Sequence, residues 1–190
     1  IILIFSIFYS TKLDTNAALL DDVTGTPLYD EMKFMEEEMG SVLPLEIIIE
    51  VMENGERVQN GIKAPEVLKK IEELQIMIST IPEIGNSISM VDYLKEMNRA
   101  FHGGEQDFYK IPKSQELVAQ YLLLNEEEFE HLVDYNYSLT RISARIKDVP
   151  SAKAQEISES IESWVQIHFP ENINVDVTGT TLMALRTNKY

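Results

Sequence analysis

Between Leu45 and Met90 the spacing of apolar residues changes twice, and this stretch restricts the possible folds more than any other. Leu45-Glu46-Ile47-Ile48-Ile49-Glu50-Val51 alternates with period two. It reads as a strand with Leu45, Ile47, Ile49 and Val51 on one face and Glu46 and Glu50 on the other, Ile48 being the exception. From Pro65 to Ile81 the residues Val67, Leu68, Ile71, Leu74, Ile78 and Ile81 recur at helical spacing, and Glu66, Lys69, Lys70, Glu72 and Glu73 fill the polar side. Pro65 suits a first helical turn, where its missing N–H has no partner to lose, and Pro82 ends the run. Alternation then returns, and Ile84, Asn86, Ile88 and Met90 are expected on one side of a second strand. An amphipathic helix between two half-apolar strands implies a sheet covered by helices on one face.

A second unit of the same kind comes later in the chain. Ile142, Ala144 and Ile146 alternate with Arg141, Ser143, Arg145 and Lys147, giving a strand with a basic outer face. Those cations are expected to pair with acids on neighbouring strands; an open groove there would focus positive potential on an anion. Ser151 is expected to cap a helix with Ala154, Ile157, Ile161, Trp164, Val165 and His168 on its apolar side. Ile173, Val175 and Val177 then alternate with Asn174, Asp176 and Thr178 up to Gly179. Ile81-Pro82-Glu83-Ile84-Gly85-Asn86 lies 88 residues before Phe169-Pro170-Glu171-Asn172-Ile173-Asn174, and each junction comes after a long helix and before a strand. The two units predict an α+β fold: a ferredoxin-like split β-α-β repeat with a four-stranded antiparallel sheet, helices on one face, and a helical insertion. Asp22-Val23-Thr24-Gly25-Thr26 recurs as Asp176-Val177-Thr178-Gly179-Thr180, but in a connector and at a strand end, so the match reads as turn chemistry or coincidence.

Charge and cysteine content narrow the functions. The 190 residues carry 16 Lys and Arg against 32 Asp and Glu, a formal net charge of -16, which repels nucleic-acid phosphates and anionic lipid. Without Cys there is no disulfide framework, thiolate nucleophile or thiolate metal site. Ile1-Ile2-Leu3-Ile4-Phe5-Ser6-Ile7-Phe8-Tyr9 is almost wholly apolar before Ser10-Thr11-Lys12. Three readings of this run stand side by side: the outer part of a membrane helix with Tyr9 and Lys12 at the interface, a signal-peptide core, and a buried strand.

The remaining segments are a connector and an insertion. Leu13 to Val42 is a connector rich in turn formers that holds a short helix with Leu28, Met32, Met35 and Met39 as one stripe, ended by Gly40. Glu36-Glu37-Glu38 lies off that stripe, and its carboxylates diverge by about 100° per residue, so it reads as a solvated face and no cation site. Between the units, Asp92 to Phe101 is expected as a helix packing through Tyr93, Leu94, Met97 and Phe101, broken by His102-Gly103-Gly104. That glycine pair lacks the spacing of a phosphate-binding loop. Ile111-Pro112-Lys113-Ser114 opens a helix to Leu124, and Asn125 is expected to cap another from Glu126 to Val133. Glu128 and His131 form a single Glu-x-x-His pair; a di-metal bundle needs two such pairs and further carboxylates, so a solvated surface is expected. His168 is expected to be packed or half-buried. No Ser/His/Asp spacing or nucleotide loop occurs, and no catalytic, cofactor-binding or metal residue is assigned.

The apolar start, Leu13-Asp14-Thr15-Asn16, the helix ending in Met39-Gly40, Leu43-Pro44-Leu45-Glu46-Ile47-Ile48-Ile49-Glu50, the Pro-Glu junctions and Val177-Thr178-Gly179-Thr180 resemble the first extracytoplasmic loop of RND-superfamily exporters, in particular the MMPL-like, Patched-like branch. The resemblance covers nearly the whole chain. It implies a membrane protein in which residues 1–12 end transmembrane helix 1, 13–42 connect, and 43–190 form a porter-like domain. That domain divides into a first unit at 43–91, an insertion at 92–136, a second unit at 137–178 and a return towards the membrane at 179–190. The implied function is that of a periplasmic, extracytoplasmic porter domain of a proton- or ion-driven exporter for lipids or other hydrophobic molecules, with no enzymatic step and no cofactor. Its implied partners are the exporter's own transmembrane domain, a second porter loop, a hydrophobic substrate and, in a homo-oligomer, further copies of itself; nucleic acid is not among them. A sensor ectodomain and a soluble ferredoxin-like enzyme are the alternatives.

Overall fold

The computed structural model describes Ala18, Leu20 and residues 23–179. The apolar run at 1–12, most of the connector before Val23 and the return segment after Gly179 lie outside the described residues.

Strand β1 (Leu43–Glu53) is the centre of the sheet because it is the most apolar strand: Leu43, Leu45, Ile47, Ile49 and Val51 are all buried on one face. It pairs antiparallel with β4 (Leu139–Ile146) on one side and with β5 (Ile173–Gly179) on the other, and β3 (Ile84–Ile88) pairs antiparallel with the far side of β4. The order β5-β1-β4-β3 is that of a ferredoxin-like split β-α-β sheet, as the duplicated pattern predicts. A two-residue β2 (Glu56–Arg57) folds back on the end of β1 through Asn54-Gly55, both with positive φ, and makes a fifth strand.

The two long helices complete the units. In α2 (Pro65–Ser79) the residues Val67, Leu68, Ile71, Leu74 and Ile78 are buried, and in α6 (Ser151–His168) so are Ala154, Ile157, Ile161 and Val165. Both stripes join the apolar face of the sheet in one core. At about 25 cal/mol per Å² of apolar surface removed from water, this single interior is the main favourable contribution to folding. Helix α2 stops at Ser79, short of the expected Ile81. The residue before Pro82 is disfavoured in helical conformation, and the Ser79 and Thr80 hydroxyls donate to the carbonyls of Ile76 (2.6 Å) and Met77 (2.7 Å). Ser151 does not cap α6 as expected: Pro150, with extended backbone, holds the N-cap position and Ser151 is the first helical residue.

Strand β3 also departs from the expectation. Its register shifts between Ile84 and Ser87, so Ile84 lies opposite Ile146 on the core side while Ile88 lies opposite Ser143 on the other face. Met90 is not in the strand. It begins α3 (Met90–Phe101), because Ser89 forms a capping box with Asp92: the Ser89 N–H donates to Asp92 Oδ2 at 2.9 Å and its hydroxyl accepts from Val91 N at 3.2 Å. The rest of the insertion is α4 (Gln115–Leu124), capped by Ser114, and a single turn α5 (Glu126–Phe129). The expected helix to Val133 ends at Phe129 because the sheet captures Leu132 and Val133. The Leu132 carbonyl accepts from Arg141 N (3.0 Å) and Thr140 Oγ1 (2.9 Å), and Val133 bridges to Thr140. Asn125 makes no capping bond; its amide lies 3.4 Å from Met97 Sδ.

Helix α1 (Pro27–Met39) is capped by Thr26, whose hydroxyl accepts from Tyr29 N, and is closed by Gly40 at φ 81°. Leu28 and Met35 of its apolar stripe are exposed. A polar tether holds the helix: Glu36 Oε1 accepts from the Asp148 N–H at 2.9 Å in the loop before α6. Glu36 therefore departs from the solvated face expected for residues 36–38.

Candidate functional site

The face of the sheet turned away from α2 and α6 carries the cross-strand polar and charged residues. Strand register builds it in rows. Ile88, Ser143, Glu46 and Thr178 lie side by side across β3, β4, β1 and β5; Arg141, Ile48 and Asp176 form a second row, and Leu139, Glu50 and Asn174 a third. The mixture results from the alternation, since a strand that points Leu45, Ile47 and Ile49 inward must point Glu46, Ile48 and Glu50 outward.

Two glutamates organise this face. Glu46 accepts from Ser143 Oγ at 2.8 Å and lies 3.6 Å from Arg141 Nε. That separation is a Coulombic contact without a hydrogen bond, and both Glu46 Oε2 and Arg141 Nε are shielded from solvent. Glu50 pairs with Arg57 and accepts from Asn174 Nδ2 at 3.1 Å. Such half-exposed pairs each contribute about 0.2–1 kcal/mol, enough to bias register and too little to hold the sheet. The expectation that cations on β4 pair with cross-strand acids holds for Arg141, while Arg145 faces solvent and makes no ion pair among the described residues. With Glu46, Glu50 and Asp176 interleaved among Arg57, Arg141 and Arg145, the face does not concentrate positive potential, so the anion site considered for β4 finds no support.

Other residues singled out in the sequence are dispersed. Glu128 and His131 are both exposed, and His131 Nε2 contacts Glu130 at 3.3 Å. Among the described residues, no group of three or more His, Asp or Glu could hold a metal ion. His102 Nδ1 lies 2.7 Å from the Asn98 carbonyl, with its ring stacked on Phe108. His168 is exposed where a packed or half-buried residue was expected, although its ring stacks on Trp164 with centroids 4.1 Å apart. No histidine hydrogen-bonds a serine or threonine hydroxyl among the described residues, so no nucleophile is paired with a base there. Gly103 and Gly104, both at positive φ, end α3 with their N–H groups bonded to the Ala100 and Arg99 carbonyls.

Polar clamps order the insertion, tie it to α2 and close the turn into β4, and residue spacing did not reveal them. Asp134 accepts from Ser138 N (2.6 Å), Leu139 N (2.7 Å), Ser138 Oγ (2.8 Å) and Asn136 N (3.3 Å), closing the turn that enters β4. Burial acts to raise its pKa, but those donors outweigh burial and hold the carboxyl below its ordinary value. The buried Asn98 donates to the carbonyls of Phe108 and Lys110, each at 3.0 Å, and accepts from Tyr121 OH at 3.1 Å, joining α3, the loop after it and α4. Between α2 and α3, Gln75 donates to Asp92 (2.7 Å) and accepts from Ser89 Oγ (2.7 Å). Single polar residues inside apolar periodicity, Asn98 above all, were the available signal.

The sheet, the long helices and the insertion thus share one core. No helix among the described residues is long and apolar enough to cross a membrane. Comparison of the chain with protein-family models, with curated proteins and with solved structures finds no match.

Proposed function

We propose that this chain is the extracytoplasmic porter domain of a proton- or ion-driven RND-type exporter that handles lipids or other hydrophobic molecules. The observation that carries the reading is the sheet order β5-β1-β4-β3, made by two β-α-β units with both long helices in one core and a clamped helical insertion between them. This is the architecture implied by the resemblance of Leu43 to Glu50, the Pro-Glu junctions and Val177 to Thr180 to the first loop of such exporters. The mechanism is conformational. A rigid domain moves as a body against its second porter loop when the membrane part changes state, opening and closing a cleft without covalent chemistry. Ordered polar clamps at Asp134, Asn98 and Gln75 support it, because they let force reach the insertion without loosening it.

The direct test is to read the gene beyond both ends of this chain. The proposal expects a membrane helix completed upstream of Ile1 and several membrane helices after Tyr190, some carrying protonatable acids. A single downstream helix followed by a cytoplasmic signalling domain would instead make the chain a sensor ectodomain. Absence of membrane helices on both sides would refute both readings.

A further inference from the structure

The insertion carries a surface that its clamps do not explain. Leu123 is 77% exposed, Leu124 63% and Tyr135 92%, while the neighbouring Tyr121, Leu122 and Phe129 are buried. Leu123 and Tyr135 flank a groove of about 710 Å³ whose lining also includes Phe129, Val133 and Tyr137. Local backbone structure shapes it. Asn60 at φ 61° and Tyr137 at φ 51° turn two loops towards each other, and Asn60 N and Ile62 N donate to the carbonyls of Asn136 (2.9 Å) and Tyr137 (3.2 Å). The other wall is α5 with the end of α4.

The charge around this apolar surface is one-sided. Glu126, Glu127, Glu130 and Asp134 line the groove, and among the described residues no Lys or Arg does. Asp134 is committed to its backbone donors, whereas Glu126, Glu127 and Glu130 are exposed. The adjoining Lys63 places Nζ 3.6 Å from the centre of the Tyr137 ring, so this aromatic already faces one cation. Burial lowers the Lys63 pKa. Anionic lipid and nucleic acid are repelled by such a rim, and so is a second copy of a chain with net charge -16.

We propose that this groove docks a basic amphipathic segment of a partner protein, with its apolar side chains on Leu123 and Tyr135 and its Lys or Arg side chains on Glu126, Glu127 and Glu130. The exposed leucines and tyrosine supply contact area, and the carboxylates supply orientation and encounter rate. The inference concerns a separate surface and does not depend on the exporter reading.

The test uses the whole chain and a labelled helical peptide of about 18 residues made only of Leu and Lys at amphipathic spacing. Binding is read by fluorescence anisotropy at low and moderate salt. Substituting Glu126→Gln, Glu127→Gln and Glu130→Gln together should weaken binding about tenfold and flatten its salt dependence, whereas the charge-matched set Glu156→Gln, Glu159→Gln and Glu171→Gln should change it less than about twofold. Leu123→Ser with Tyr135→Ser should weaken binding by a similar factor and leave the salt dependence in place; both side chains are exposed, so the fold tolerates the change. Backbone amide shifts on titration should move at Gln59, Tyr135 and Asn136. Equal loss in the two glutamine sets would reduce the effect to general attraction and overturn the proposal. So would concentration-dependent self-association abolished by Leu123→Ser with Tyr135→Ser, which would make the occupant a second copy.

Discussion

Gly85 and Ser41 offer the sharpest test of how the edge strand is seated. A Cβ added at Gly85 would lie 2.0 Å from Ser41 Oγ and 3.3 Å from Ser41 Cβ. Ser41 is 1% exposed, at the junction between α1 and β1, so its hydroxyl has little free space. Gly85→Ala has two opposing effects. Gly85 is not among the residues with positive φ, so alanine fits the backbone, and loss of unfolded-state freedom would by itself stabilise by about 0.4–1 kcal/mol. Overpacking against Ser41 costs about 1–3 kcal/mol, so the steric effect wins in the native background, with a net loss of roughly 1–2 kcal/mol. In a Ser41→Ala background the 2.0 Å clash is gone and only the tight but tolerable 3.3 Å contact remains. There Gly85→Ala should be neutral or slightly stabilising, and the coupling between the two sites about 1–3 kcal/mol. Urea unfolding of the four proteins of the cycle measures it. With a slope of about 1–3 kcal/mol per molar urea, the single Gly85→Ala midpoint should fall by roughly 0.5–1.5 M. Gly85→Ala as stable as the native protein, or effects at the two positions that add within about 0.5 kcal/mol, would show that β3 is not seated on Ser41 and refute the reasoning.

Further expectations concern the insertion clamps. Because the folded-state pKa of Asp134 is depressed, its contribution is present above the unfolded carboxylate pKa and is lost as pH falls through the folded value. Asp134→Asn should therefore cost about 1–3 kcal/mol at neutral pH and lessen the loss of stability on acidification, as read by urea midpoints between about pH 7 and 3; an unchanged pH profile would count against the clamp. Tyr121→Phe removes the donor to the buried Asn98 Oδ1 and should cost about 1–3 kcal/mol. The accompanying loss of amide-exchange protection should concentrate in α3 and α4, and a loss spread evenly over the sheet would contradict a local clamp.

Much of the architecture was legible in residue spacing because each strand and helix has one buried face, and burial writes its period into the sequence. Leu45, Ile47 and Ile49 announced β1, and the stripes from Val67 to Ile78 and from Ala154 to Val165 announced the long helices. Where apolar residues were few, local polar chemistry decided the outcome. Ile84, Asn86, Ile88 and Met90 looked like one side of a strand, yet the Ser89–Asp92 capping box turned Met90 into a helix start and the register shift put Ile84 and Ile88 on opposite faces. Asn125 looked like a cap, but β4 drew Leu132 and Val133 out of the helix through bonds to Thr140 and Arg141, which hydrophobic periodicity does not record.

By itself, then, the sequence determined the class of fold and its duplication, because one-sided burial is periodic and can be read residue by residue. Only the tertiary structure decided which charges meet and which apolar residues stay bare. Glu46 reaches Ser143 and Arg141 from 97 and 95 residues away, and Asn60 meets Asn136 across 76. Leu28 and Met35 of α1 stay exposed despite their helical spacing. Periodicity says that a face is apolar; whether that face finds a partner depends on distances that close only when the chain has folded.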